Sequence, residues 1–276
     1  MLEKDYFKIF KLKDDIYRIY EPRNNYTTVV LGREKALVID NGYGFGNVRK
    51  VIESITDLPL VMINTHGHLD HAGGNYLFDE VYINTDDIAT YYEYQKEKDL
   101  LIANFDRLYK EKNIQMWPDE FDKESFMKTT TKKFLPLENH QIIDLGKRKL
   151  EVIKIPGHTL GHIVLLDYKT GILFSGDAVS TSLWLYYNNG ITLDMYCEYL
   201  ENLKKYAIKR ILPTHLNKFL SIEILDVLQM TIKERDPKKS KIFIHPRNKQ
   251  KAWLYQKEVK EFGKISILYP FLESDV

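Results

Sequence analysis

Four residues able to ligate a metal fall within one short stretch of this chain, Thr65-His66-Gly67-His68-Leu69-Asp70-His71. His66 and His68, two apart after an apolar strand, can project in one direction. Asp70 and His71, on the turn into a helix, can face a second point a few ångströms away, so two adjacent sites are implied rather than one. Three further pieces each follow a predicted strand: His158 in Ile155-Pro156-Gly157-His158-Thr159-Leu160-Gly161-His162, Asp177 in Phe174-Ser175-Gly176-Asp177, and His215 in Leu212-Pro213-Thr214-His215. Side chains presented at strand termini by a rigid sheet can hold a metal without burying unsatisfied backbone. Five imidazoles and two carboxylates suit Zn²⁺, the expected metal, and Fe and Mn accept the same donors. The only cysteine is Cys197, which excludes an intrachain disulfide and a sulfur-based site; it is expected to pack on a helix face.

With Asp40 in Val38-Ile39-Asp40-Asn41-Gly42, these stretches resemble, in order, the five signature motifs of the metallo-β-lactamase superfamily, over about two-thirds of the chain. The resemblance implies an α/β fold, an αββα sandwich of two mixed β-sheets with helices on the outer faces. It implies that His66, His68 and His158 bind one metal, that Asp70, His71 and His215 bind a second, and that Asp177 bridges both. It also implies that Asp40 supports the metal-binding loop from behind through hydrogen bonds, and that His162 makes a structural hydrogen bond. In such a site a hydroxide bridging two divalent metals is the nucleophile, and one metal polarises the substrate's oxygen. Asp70 and Asp177 are the expected catalytic residues, with Asp70 or a metal-bound water protonating the leaving atom.

Departures from subfamily patterns narrow the substrate. Zinc β-lactamases lack a bridging aspartate and are usually exported, whereas Asp177 is present and the opening MLEKDYFKIFKLKDD has no uninterrupted apolar stretch. Flavodiiron proteins replace a ligand histidine with glutamate and add a flavin domain. Glyoxalase II enzymes share the ligands but carry a basic helical tail, while the tail here mixes strands with one helix. Acyl-homoserine lactonases place a tyrosine three residues beyond the bridging aspartate, where this chain has Ser180. The expected activity is therefore hydrolysis of a thioester, ester or lactone by a dinuclear metal-dependent hydrolase. A phosphodiesterase or nuclease of the same fold and a mononuclear iron persulfide dioxygenase are the alternatives.

The elements that must position these residues are legible in outline. At 276 residues the chain is expected to form one domain. Short strands are predicted at 6–10, 16–20, 26–31 and 36–39, then a helix from Val48 capped by Asn47, and a buried strand at Leu60–Ile63 leading into the histidine cluster. A tyrosine-rich helical insertion follows at about 86–130. Its Tyr91, Tyr92, Tyr94 and Phe105 are expected to form a lid or a dimer surface. Further strands lie at 133–135, 141–144, 150–155, 163–167 and 172–175, and Ser182–Tyr187 reads as an aromatic loop walling the pocket. Beyond it, helices at 194–206 and 222–233 alternate with strands at 210–212, 241–245, 252–256 and 265–269.

Forty Lys and Arg against 39 Asp and Glu leave a net charge of +1, so no nucleic-acid or membrane partner is expected. The runs 233–241 and 247–251 read as a solvated basic surface, and His140 and His245 as ordinary histidines. A cytoplasmic enzyme acting on a small molecule, in a monomer or homodimer, is the expectation.

Overall fold

Neighbouring residues of the central strands enter different apolar cores, and this alternation builds the layers. Val30, Leu37 and Ile39 share an inner core with Ile163, Leu165, Ile172 and Phe174. Val29 and Val38 point the other way into a second core with Val48, Val51 and Ile52. Val164, Leu166 and Leu173 enter a third with Leu200, Leu203, Leu225 and Leu228. Two sheets therefore face one another, each with an outer layer against its back, and each such side chain taken from water contributes roughly 1.5–3 kcal/mol.

The computed structural model describes residues 6–113, 117–187 and 189–272. The first sheet runs in chain order through β1 (Lys8–Lys11), β2 (Ile16–Glu21), β3 (Asn25–Leu31), β4 (Ala36–Ile39), β5 (Leu60–Ile63), β6 (Val81–Ile83) and β7 (Phe134–Pro136). Strands β1 to β4 pair antiparallel, and β4 to β7 pair parallel. The second sheet joins β8 (Ile142–Asp144), β9 (Lys149–Lys154), β10 (Ile163–Asp167) and β11 (Ile172–Gly176), with β12 (Ser182–Trp184) leaving it and β13 (Arg210–Pro213) returning; its order is β13-β11-β10-β9-β8. Strands β8 to β11 pair antiparallel in chain order, and β13 joins β11 in parallel.

Helices α1 (Val48–Glu53) and α2 (Leu69–Ala72) flank β5, and α6 (Leu193–Leu203) and α7 (Ile224–Glu234) cover the second sheet. Asn47 accepts a hydrogen bond from the Lys50 amide at 3.1 Å, which starts α1 where expected. The insertion consists of α3 (Ile88–Gln95), α4 (Lys98–Lys112) and α5 (Lys123–Lys128); residues 114–116 of the expected span lie outside the described residues. Cys197 is buried on α6, as expected.

A third sheet was not foreseen. β14 (Lys241–Ile244), β15 (Lys251–Val259) and β16 (Gly263–Pro270) form an antiparallel tail, and β12 joins it parallel to β16. The aromatic loop expected at 182–187 thus begins as a strand, because its partner lies at the far end of the chain. Among the described residues no helix is long and apolar enough to cross a membrane.

Candidate metal centre

All four loops carrying the predicted residues open at one edge of the two sheets. β5 ends at Ile63 and passes through His66 and His68 into α2, which carries Asp70 and His71; His158 follows β9, Asp177 follows β11, and His215 follows β13. The ligating atoms of His66, His68 and His158 form one cluster, those of Asp70, His71 and His215 another, and those of His66, His71 and Asp177 a third between them, each within 4.8 Å. Asp177 Oδ2 is 3.6 Å from both His71 Nε2 and His158 Nε2, and its Oδ1 is 3.4 Å from His215 Nε2. Asp70 Oδ2 lies 3.4 Å from His215 Nε2 and 3.8 Å from His71 Nε2.

Four of the five rings are held from behind at Nδ1. Nδ1 of His158 faces the Trp184 carbonyl at 2.9 Å and Nδ1 of His215 the Asn24 carbonyl at 3.2 Å. A carbonyl only accepts, so both Nδ1 atoms carry a proton and both Nε2 atoms face the cluster. His71 Nδ1 meets Asp40 Oδ2 at 2.8 Å. The Thr65 hydroxyl donates to Asp40 Oδ2 at 2.9 Å and so accepts from His66 Nδ1 at 3.0 Å. His68 turns the other way, its Nδ1 3.0 Å from His158 Nε2.

These residues fit divalent cations. Nε2 of His66 and of His71 are buried and have no hydrogen-bond partner, a costly state for a polar atom unless it ligates something. Tetrahedral ligands at about 2.0–2.1 Å from a metal stand roughly 3.4 Å apart, close to the carboxylate–imidazole spacings here. Burial, reinforced by neighbouring rings, holds His66 and His68 well below the usual histidine range, and burial also lowers His158. For His71 and His215 burial acts in the same direction, but nearby carboxylates outweigh it: Asp40, Asp177 and Asp70 raise His71, and Asp177 and Asp70 push His215 to about 10. Against the opposing effect of burial, Asp70 is held down chiefly by His71 and Asp177 chiefly by His215. The two carboxylates thus demand compensating positive charge at this spot, whether from protons or from metal.

Asp40 connects three parts of the site. It takes the Thr65 amide at 2.8 Å, His71 at 2.8 Å and the Thr214 hydroxyl at 3.3 Å, with its own backbone in the left-handed region at φ 57°. His162 accepts the Asp177 amide at Nε2, 3.1 Å, which is the structural bond expected of it.

Two supports escaped the sequence. Arg18, buried in β2, donates from Nη2 to the carbonyls of Pro213, Thr214 and Leu216 at 2.9, 2.7 and 3.1 Å and so holds the loop carrying His215; burial lowers its pKa to about 9. Asp87, at the entry to α3, accepts from the Gly67 amide at 2.6 Å, the Thr159 hydroxyl at 2.9 Å and the Gly161 amide at 2.8 Å. It ties the His66–His68 loop to the His158 loop, and burial outweighs these bonds to raise it to about 6. A Cβ on Gly67 would stand 2.6 Å from the Tyr91 amide nitrogen, so this close approach requires glycine. A carboxylate following a strand and preceding a helix reads as a cap, and nothing local announces its distant partners.

Above the clustered ligands lies a cavity of about 290 Å³. Tyr43, Leu101, Phe105, Ser180, Trp184 and Tyr187 line it, and Arg23, His245 and Arg247 also reach it. The insertion is therefore a wall, and its aromatics divide. Tyr94 packs on His68 with centroids 4.1 Å apart, Phe105 lines the cavity, Tyr91 is buried with its hydroxyl taking the Thr131 amide at 2.9 Å, and Tyr92 is exposed. His245 and Arg247, read from sequence as ordinary and as solvated surface, both border the cavity because the third sheet brings their loop there. His140 is paired with Glu151 at 2.8 Å, away from the cavity.

A family model described as metallo-beta-lactamase superfamily matches residues 20–215. An acyl-coenzyme A thioesterase, MBLAC2, from Homo sapiens is 30% identical over 224 residues, covering 73% of this chain and 77% of that protein. A hydroxyacylglutathione hydrolase, GloC, from Haemophilus influenzae is 27% identical over 153 residues, covering 53% of this chain and 62% of its own. Among solved structures, a metallo-beta-lactamase from Pontibacter korlensis superposes with a TM-score of 0.57 at 17% identity, over 83% of this chain and all of that one.

Proposed function

Because the chain belongs to the metallo-beta-lactamase superfamily and is a metal-dependent hydrolase, we propose that it cleaves thioesters of small molecules with two divalent cations, zinc first among them. His66, His68 and His158 would hold one cation, Asp70, His71 and His215 the other, with Asp177 shared. The convergence of these seven side chains, with two buried Nε2 atoms otherwise unpartnered, carries the reading. When bound, the metal pair supplies a deprotonated water at neutral pH and positive charge for the oxygen of a polarised carbonyl.

The chain's own residues do the rest. Asp177 spans both clusters and fixes their separation, and Thr65, Asp40, Trp184 and Asn24 keep the Nε2 atoms of His66, His71, His158 and His215 aimed inward. Tyr43, Tyr187 and Phe105 shed water from the acyl group. Thioesters suit this cavity better than amides. A thiol of pKa near about 8.5 leaves as the thiolate with no proton supplied, whereas Asp70 and Asp177 are held as anions and burial raises Tyr43 and Tyr187 further above neutrality. Two relatives named for thioester hydrolysis support the same choice. The single cysteine, which leaves no intrachain disulfide, supports a cytoplasmic place of action.

Elemental analysis of the purified chain, joined to assays on thioesters, lactones, aryl esters and phosphodiesters, tests this. Two metals per chain and the highest kcat/KM on a thioester are expected. One iron per chain, or phosphodiester cleavage above thioester cleavage, would overturn it.

A further inference from the structure

The cavity's cationic groups come from two separate elements. Arg23 sits in the turn between β2 and β3, whose next residue, Asn24, bonds His215. Arg247 sits in the loop between β14 and β15. Both line the cavity that ends on Asp70 and Asp177.

Neither arginine is spent on the fold. Arg247 meets Glu97 through Nε at 3.5 Å and lies 5.4 Å from the Tyr94 ring centroid, which leaves Nη1 and Nη2 without a hydrogen-bond partner among the described residues. Arg23 is exposed, makes no ion pair among the described residues and has its guanidinium 5.8 Å from the Phe105 ring centroid. A carboxylate and two rings thus prop the pair, while the donor forks stay open. Opposing charge in the cavity is directed elsewhere: Asp70 and Asp177 face His71 and His215. His245, lowered to about 4 by burial and then by Arg247, is neutral at pH 7 and leaves the arginines to set the charge.

We propose that Arg23 and Arg247 clamp an oxyanion, a phosphate or carboxylate on the thiol-bearing half of the substrate, and so select acidic thiol carriers over neutral ones. Guanidinium forks match both oxyanions in geometry and bind them with charge-assisted hydrogen bonds. The clamp rests on the thioesterase reading for its substrate, but its binding can be measured without turnover.

The same acyl group would be presented to the metal-loaded full chain on coenzyme A, on glutathione and on N-acetylcysteamine, which is neutral. The ratio of kcat/KM for the better acidic carrier to the neutral one is expected to exceed about 10, and to fall at least about 10-fold in Arg247→Ala and Arg23→Glu through KM. Arg247→Lys should keep part of it. In parallel, quenching of tryptophan fluorescence would report binding of desulfo-coenzyme A and S-methylglutathione, neither of which can be cleaved. Tighter binding of the first assigns phosphate as the partner, tighter binding of the second assigns carboxylate, and either should weaken with salt. Arg23→Glu, on an exposed turn, carries the test if Arg247→Ala does not fold. Binding through the arginines without thioester cleavage would sink the thioesterase reading and keep the clamp. Thioester cleavage with an unchanged carrier ratio, or no binding of either analogue to the unaltered chain, would overturn the clamp.

Discussion

The floor of the cavity and its rim are built on different terms. On the floor, four of the five ligand-type imidazoles are fixed from behind by a hydrogen bond to Thr65, Asp40, Trp184 or Asn24, and the loops beneath are tied by Arg18 and Asp87. At the rim, Arg23, Phe105 and Arg247 come from a hairpin turn, a helical insertion and a tail loop, with few polar ties. The matched family segment ends at residue 215, so Arg247 lies wholly outside it. The groups proposed to hold metal sit on rigid strand ends, while those proposed to select the substrate sit where side chains can change without disturbing them.

The sharpest way to break the contrast is at its centre. Asp177→Ala removes a carboxylate that faces both clusters, and should cost at least about 10³-fold in kcat/KM together with most of the bound metal. Paired elemental analysis and kinetics check this; retained metal with full turnover would mean that the floor does not work as a unit. A smaller loss is expected from Asp87→Asn, since one carboxylate oxygen is replaced by a donor facing Gly67 or Gly161. It should cost about 2 kcal/mol at pH 7 in urea unfolding.

That cost carries a pH signature. A folded pKa of about 6 lies above the ordinary carboxylate value, so this group's contribution to stability is fully present below about pH 4 and is lost as pH rises through about 6. The gap between the unaltered chain and Asp87→Asn should therefore be wider at pH 5 than at pH 7, and an unchanged gap would argue against a raised pKa. Smallest is the rim change Phe105→Leu. It should leave metal content intact, cost about 1 kcal/mol of stability, and shift preference among acyl chains by no more than about 10-fold. Loss of metal in this variant would erase the distinction between floor and rim.

What the sequence disclosed follows the range of the interactions. His66, His68, Asp70 and His71 announce themselves because their spacing is local, and the strands that carry His158, Asp177 and His215 end at glycine or proline turns visible in the chain. β3, β4 and β10 were likewise legible as strands, and they are buried almost throughout. Arg18 was not, because an arginine in a strand looks like a solvated residue until the carbonyls around His215 close over it. Arg247 read as part of a basic surface for the same reason: only pairing among β14, β15, β16 and β12 carries it to the cavity. Sequence shows which groups are reactive more readily than it shows what steadies them.

With His158 as a metal ligand, as proposed, the parallel pairing of β12 with β16 makes the last long strand a partner in retaining the ion. Trp184, which orients His158, ends β12 opposite Leu268, and the Leu185 amide donates to the Leu268 carbonyl at 2.8 Å. Peeling that strand away would loosen the ring's tether, and by thermodynamic linkage an ion on His158 must in turn hold the strand down. Proteases that nick this region should accordingly act more slowly on the metal-loaded protein than after chelation.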